Sequence, residues 1–251
     1  MIFDHLPSFW LLSIAFCAVA FAYFIFAIAG FGAAFITAPS LAQFMPVADV
    51  IHVLSLVDFG AASLNGLVLI RKVAISELKW LMPLMIIGII AGTQALLIVP
   101  PRPLMMTLGI FVIAFGINGL IGKKPTHNIA KRWVVPIGLL GGFFGGLFGN
   151  GGFIYVMYLG RRSLEKDQIR ATQVTLLLAS TITRVTVFLV SGVYADVRIL
   201  GLAAICLPAM LLGIWIGHHV SLKMSREQFL RAICLLLIVS GSSLIIRAWI
   251  I

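Results

Sequence analysis

Apolar residues along this chain neither alternate nor keep to one helical face; they come in long runs separated by short polar breaks. The runs lie at 9–28, 47–70, 79–99, 104–121, 171–190, 199–218 and 229–248. A bilayer core takes about 20 helical residues to cross, so each run predicts a transmembrane helix. A membrane β-barrel would instead show alternating segments of about ten residues. Lipid leaves only these two ways to satisfy a spanning backbone, and the pattern selects the helical one.

Two stretches depart from the pattern. "AGFGAAFITAPSLAQF" (29–44) is apolar but broken by Gly30, Gly32 and Pro39. "GGLFGNGGFIYVMYLG" (145–160) follows an apolar run from Trp133, and seven of the twelve residues from Gly141 to Gly152 are glycine. Each glycine in a helix interior costs about 1 kcal/mol against alanine, so the density needs a reason. One reading is close packing, because Gly142–Gly146 and Gly145–Gly149 have GxxxG spacing. The other is a broken helix, with Gly149, Gly151 and Gly152 around Asn150 where one helix stops and another starts. A helix start exposes unpaired N–H groups and the positive end of its dipole, which suits an anion. Residues 133–159 span roughly 40 Å as helix, against about 60 Å for two crossings. At least one segment of the pair is therefore expected to be a half-helix that ends in protein or a wet cavity.

The chain also looks duplicated. "PLMIIGIIAG" from Pro83 matches "PAMLLGIWIG" from Pro208, and Phe35-Ile36 matches Phe153-Ile154. Each half reads as a long helix, a glycine break, a short helix and three more helices. The expected fold is an all-α polytopic membrane protein of two inverted repeats. It has about eight main transmembrane helices plus two short glycine-broken half-helices. Residues 1–122 form the first repeat, 123–132 a basic cytoplasmic linker and 133–251 the second repeat.

Composition agrees with a membrane protein: 61% of the 251 residues are hydrophobic and 10% are charged, against about 25% charged in soluble domains. The formal charge of +10 comes from Lys and Arg in short loops, so it speaks of orientation rather than of nucleic acid. If the short segments do not change sides, the loop cations divide nine against eight. If they complete a crossing, fourteen share one side and only Arg102, Arg198 and Arg247 face the other, with Arg184 inside a span. The second division is the positive-inside signature and predicts both termini in the periplasm. No Lys or Arg precedes the first run, which argues against a cleaved signal peptide. Cys17, Cys206 and Cys234 fall inside apolar runs without metal-ligand spacing and read as packing residues.

The polar groups within spans carry the candidate chemistry. Arg184 lies about thirteen residues from other charges, and a charge in the bilayer interior must face a partner or a cavity. It either pairs with Asp58, in the matching helix of the first half, or contacts an anion directly. Thr172 and Gln173 open the helix after the basic loop and are candidate hydrogen-bond donors. Other Ser and Thr in the spans, such as Thr175, Thr181 and Thr183, are expected to bond back to their own helix. His52 reads as a hydrogen-bonded helix histidine, with a coupling proton as the alternative. No nucleophile–base pair, metal set, P-loop or dinucleotide fingerprint is present, so no catalytic residue, metal or cofactor is expected.

Three motifs carry a resemblance: "GFGAAFITAPSL" (30–41), "GGLFGNGGFIYV" (145–156) and "QIRATQVTLLLASTITRVTVFLVSG" (168–192). Together with the two-half plan, they resemble the TauE/SafE family of membrane permeases, the sulfite exporter or toluenesulfonate uptake family. The resemblance covers nearly the whole chain. It implies movement of a small sulfur-containing anion, and it points to Gly30, Gly32, Pro39, Gly149, Gly151, Gly152 and Thr172. The chain departs from the family pattern at Ala33-Ala34, at Asn150 and at Arg184.

The function expected is a secondary transporter of the bacterial inner membrane for sulfite or an organosulfonate such as sulfoacetate, working by one half rocking against the other. Asn150, Thr172, Gln173 and Arg184 would hold the anion at the glycine breaks, and Asp58 is the candidate carrier if protons are the coupling ion. A passive anion channel or uniporter, and less favoured an intramembrane enzyme, are the alternatives. The expected partners are the lipid bilayer, the anion and coupling protons; a homodimer is left open.

Overall fold

The computed structural model describes residues 9–29, 33–66, 72–121, 129–149, 151–162, 164–219 and 226–250. Among these residues there are ten α-helices and no strand. They are α1 (Phe9–Ala29), α2 (Ala33–Leu41), α3 (Val47–Gly66), α4 (Ile75–Ile98), α5 (Pro101–Ile121), α6 (Val134–Phe148), α7 (Gly152–Leu159), α8 (Lys166–Val190), α9 (Val197–His219) and α10 (Arg226–Ile250). Helices α3, α4, α5, α8 and α9 are long and apolar enough to cross a membrane. Helices α1 and α10 carry apolar stretches over Ala15–Ile28 and Cys234–Trp249. The protein is an all-α polytopic membrane protein.

Helices α4 and α8 begin earlier than their apolar runs, for local reasons. The polar first turn of α8 is stabilised where Gln168 Oε1 accepts from the Glu165 N–H at 3.2 Å. The start of α4 is tied to α8, because the Ala74 N–H donates to Thr172 Oγ1 at 2.9 Å. Most span hydroxyls bond back as expected: Thr175, Thr181 and Thr183 donate to carbonyls three or four residues earlier.

Glycine sets the helix spacing. Gly142 and Gly146 of α6 lie against the Met85 and Ile89 carbonyls of α4, so closely that a Cβ at either would collide with that backbone. The same register runs along Gly88 and Gly92, which face Leu139 and Phe143, so α4 and α6 are parallel. Helices α1 and α9 are parallel in the same way: Gly213 meets Ala20 and Phe24, and Gly217 meets Phe24 and Ala27. Helices α5 and α10 are antiparallel, with Gly116 at Cys234 and Gly109 at Gly241. So are α3 and α8, with the His52 ring against Phe188 and Asp58 against Arg184. Packing of backbone on backbone is how membrane helices associate without a hydrophobic driving force between them.

Among the described residues, the two ends of the bundle differ in charge. One end holds the Lys72–Asp167 and Arg162–Glu77 pairs and places Lys131 over the Trp80 ring. The other holds the Arg198–Asp196 pair and Arg247, whose Nη1 donates to the Ala42 carbonyl at 2.8 Å. Arg102, in the first turn of α5, shares that second end because α5 runs antiparallel to α10. The Arg198 hydrogen bonds hold the Asp196 carboxyl below its ordinary range. Cys206 and Cys234 are buried as expected, whereas Cys17 is exposed on α1 and is not a packing residue. A helix facing lipid exposes apolar side chains at no cost, so an apolar run does not say which of its residues pack.

Candidate anion site at the helix breaks

The dense glycine stretch does both things its sequence allows. Gly142 and Gly146 pack α6 onto α4, and three residues later α6 ends at Gly149 with φ +74°. That left-handed conformation strains any residue with a Cβ, and glycine there terminates the helix. The chain then turns back on itself. Gly151 packs on the Gly141 carbonyl and Gly145, and Tyr155 donates to the Gly138 carbonyl at 3.2 Å. So α6 and α7 form a re-entrant hairpin of 15 and 8 residues, roughly 22 and 12 Å long. The pair enters and leaves at the basic end, where Tyr158 of α7 donates to Glu77 Oε2 at 2.8 Å and Ile129, ahead of α6, bonds to the Arg161 carbonyl.

The start of α2 meets this hairpin. A Cβ built on Gly149 would stand 3.2 Å from the Ala34 methyl group. Phe35, near the start of α2, and Phe153, near the start of α7, lie 6.3 Å apart with Phe115 between them at 4.1 and 4.0 Å. These rings exclude water from one flank of the place where the two short helices begin.

Arg184 fills the other flank. Its side chain is 1% exposed. Its Nη2 donates to Asp58 Oδ2 at 3.0 Å, and Tyr23 donates to Asp58 Oδ1 at 2.6 Å. Among the described residues, Nε and Nη1 have no hydrogen-bond partner. Nη1 is aimed at the break: a Cβ on Gly149 would come within 2.8 Å of it. A buried guanidinium with two orphan donors is costly unless something accepts from them. An oxyanion between Arg184 and the start of α7 would accept from both.

Gln173 approaches the same junction from the other end of α8. Its Nε2 donates to the Gly152 carbonyl at 2.8 Å, and among the described residues its buried Oε1 has no donor. Residues 173, 177, 180 and 184 share one face of α8, and Ser180 reaches Gly145 on that face. Near Asp58 on α3, Ser55 Oγ and the Tyr194 hydroxyl lie 2.7 Å apart. Burial raises the Tyr194 pKa, while the Ser55 hydrogen bond and the charge of Arg184 oppose that rise.

The structure therefore brings Gly149, Gly151, Gly152, Gln173, Arg184 and Asp58 together. Thr172 is not among them: its hydroxyl accepts from the Ala74 N–H and serves the start of α4, whereas Gln173 beside it turns to Gly152. Pro39 lies five residues beyond Ala34 in α2, away from the junction. Gly30, Gly32 and Asn150 lie outside the described residues. His52 departs from expectation: among the described residues both ring nitrogens lack a hydrogen-bond partner, and Asp49 is 4.0 Å away. Tyr23 and Glu77 are functional-looking residues that sequence reasoning passes over. Tyr23 sits in an unbroken apolar run, and Glu77 precedes the run of its helix.

The family described as "Sulfite exporter TauE/SafE" matches residues 15–244. The chain belongs to the TauE/SafE family. A TauE/SafE chain is a membrane transporter and not an enzyme. The chain is also similar to the "Probable inner membrane transporter protein TsaS" of Comamonas testosteroni, with 24% identity over 195 residues, 77% of this chain and 82% of that protein. No solved structure matches. The matched TauE/SafE region includes both glycine breaks, Asp58 and Arg184.

Proposed function

We propose that the protein is a secondary permease of the bacterial inner membrane for a small sulfur oxyanion, sulfite or an organosulfonate such as sulfoacetate. The observation that carries this reading is Arg184. It is a fully buried guanidinium whose Nε and Nη1 have no partner and whose Nη1 faces the α6–α7 break. The N-termini of α2 and α7 add unpaired N–H groups on the facing side. Asp58 is the group that carries the coupling proton.

Alternating access fits two inverted repeats, α1–α5 and α6–α10. An inverting twofold axis in the membrane plane maps α1·α9 onto α4·α6, both parallel pairs. It maps α3·α8 and α5·α10 onto themselves, which requires each to be antiparallel. The directions of these four pairs support that reading. The interlocking of α4 with α6 and α1 with α9 means that the moving units draw helices from both halves, in place of one half rocking against the other. The cluster of Lys and Arg supports a cytoplasmic position for the end with Lys72, Lys131 and Arg162 and a periplasmic one for both termini.

The deciding experiment is flux of labelled sulfite and sulfoacetate into proteoliposomes, with and without an inward proton gradient. Accumulation above equilibrium only with the gradient is expected. Gradient-insensitive equilibration would make the protein a channel or uniporter. The absence of flux in folded protein would remove this substrate class.

A further inference from the structure

The buried centre carries a balanced charge. Among the described residues, Arg184, Asp58 and Glu77 are the buried Arg, Lys, Asp and Glu side chains. Glu77 is engaged at the basic end, by Arg162 Nε at 2.9 Å and Tyr158. That leaves one cation and one carboxylate at the helix breaks, 3.0 Å apart. Asp58 is shared by two donors, Arg184 on Oδ2 and Tyr23 on Oδ1, while Arg184 keeps Nε and Nη1 free.

We propose that the permease carries a singly charged anion together with one proton, electroneutrally, through exchange of Arg184 between two acceptors. This rests on the anion-permease reading above. In the empty carrier, Arg184 is neutralised by ionised Asp58. In the loaded carrier, the anion neutralises Arg184 and the proton sits on Asp58. If the anion bound while Asp58 stayed ionised, two negative charges would share one guanidinium in the membrane interior, where an uncompensated charge is expensive. Tyr23 suits both states, since a phenol donates to a carboxylate and accepts from a carboxylic acid. The proton enters from water with the anion on one face and leaves with it on the other, so both carrier states are neutral.

The neighbours of Asp58 do not upset this balance. Helix α1 presents Tyr23, α8 presents Arg184, and α9 presents buried Cys206. The Tyr194 hydroxyl, against Ser55, lies about one turn and His52 nearly two turns nearer the end with Arg198; α2 has no titratable side chain, and α5 has only Arg102 in its first turn. The substrate class follows: a headgroup of charge −1, such as hydrogen sulfite or a simple sulfonate. A dianion such as sulfoacetate would leave one charge unpaired, and its movement would follow the membrane potential.

Labelled methanesulfonate keeps one charge across the working pH range and serves as the probe. Wild-type proteoliposomes are clamped with potassium and valinomycin. An inward proton gradient at zero potential is expected to drive accumulation, and a potential of about 100 mV alone is expected to drive none. One uncompensated charge at that potential would shift the steady-state ratio by roughly fifty-fold. A shift approaching that size overturns electroneutral transport and leaves the anion permease standing. Absence of flux for methanesulfonate, sulfite and sulfoacetate alike, in folded protein, would overturn the permease reading as well. In Asp58→Asn, proton-driven accumulation is expected to be lost. Retained proton-driven accumulation would show that Asp58 is not the proton's site. If that variant does not fold, the wild-type voltage measurement decides alone.

Discussion

At the scale of single residues, the centre of this protein is a compromise between stability and availability. Arg184 makes one ion pair and leaves two donors open. A residue placed only for stability would satisfy all its donors, because each orphan in a dry interior costs free energy. Breaking the pair from one side strands the other charge, so Arg184→Ala and Asp58→Ala are each expected to lose about 3–5 kcal/mol. The double change removes both charges and is expected to recover much of that loss. Thermal melting of the purified variants in detergent measures this, and a double variant no more stable than either single one would contradict the pairing. Gly149→Ala tests the cradle. It adds a left-handed alanine costing about 1–2 kcal/mol and sets a methyl group against Arg184 Nη1. Anion affinity in that variant is expected to fall further than the melting temperature suggests, which a titration against the melt would reveal.

At the scale of elements, the glycine-dense helix is a fastener and a helix stop in one piece. Its first half is fastened to α4 through Gly142 and Gly146, and its end opens into the α6–α7 turn. A bulkier residue at Gly142 meets the Met85 carbonyl, which no rotamer change can move. Gly142→Val is therefore expected to cost about 1–3 kcal/mol or more through overpacking, with loss of folded yield in membranes. An unchanged melting temperature would mean that α4 and α6 are not held at this contact. Gly201 is the control: a Cβ there meets nothing, and Gly201→Ala is expected to be silent. The pairing α4–α6 also ties the re-entrant hairpin to α4, so a displacement of α4 would carry with it one wall of the proposed anion site.

At the scale of the whole molecule, the two ends of the bundle differ in charge, and the proposed orientation rests on that difference. A single cysteine replacing Lys79 is expected to be shielded from an impermeant thiol reagent applied outside intact cells, in a background without Cys17, Cys206 and Cys234. A cysteine replacing Arg102 is expected to react. The reverse result would invert the orientation and place both termini in the cytoplasm. The sequence by itself determined the membrane class, the run of helices, the two glycine breaks and the division of cations, because hydrophobic length and loop charge are local properties. It also singled out Arg184 and Asp58, since a charge inside an apolar run needs a partner wherever the chain folds. Only the tertiary structure decided which candidates meet. Thr172 went to the start of α4 and Gln173 to the α7 turn, although they are neighbours in sequence, because adjacent residues on a helix point about 100° apart. Tyr23 joined Asp58 from 35 residues away, a contact set by the packing of α1 against the bundle. The orphaned Nε and Nη1 of Arg184 likewise depend on every surrounding helix, since the absence of a partner is a property of the whole packed core.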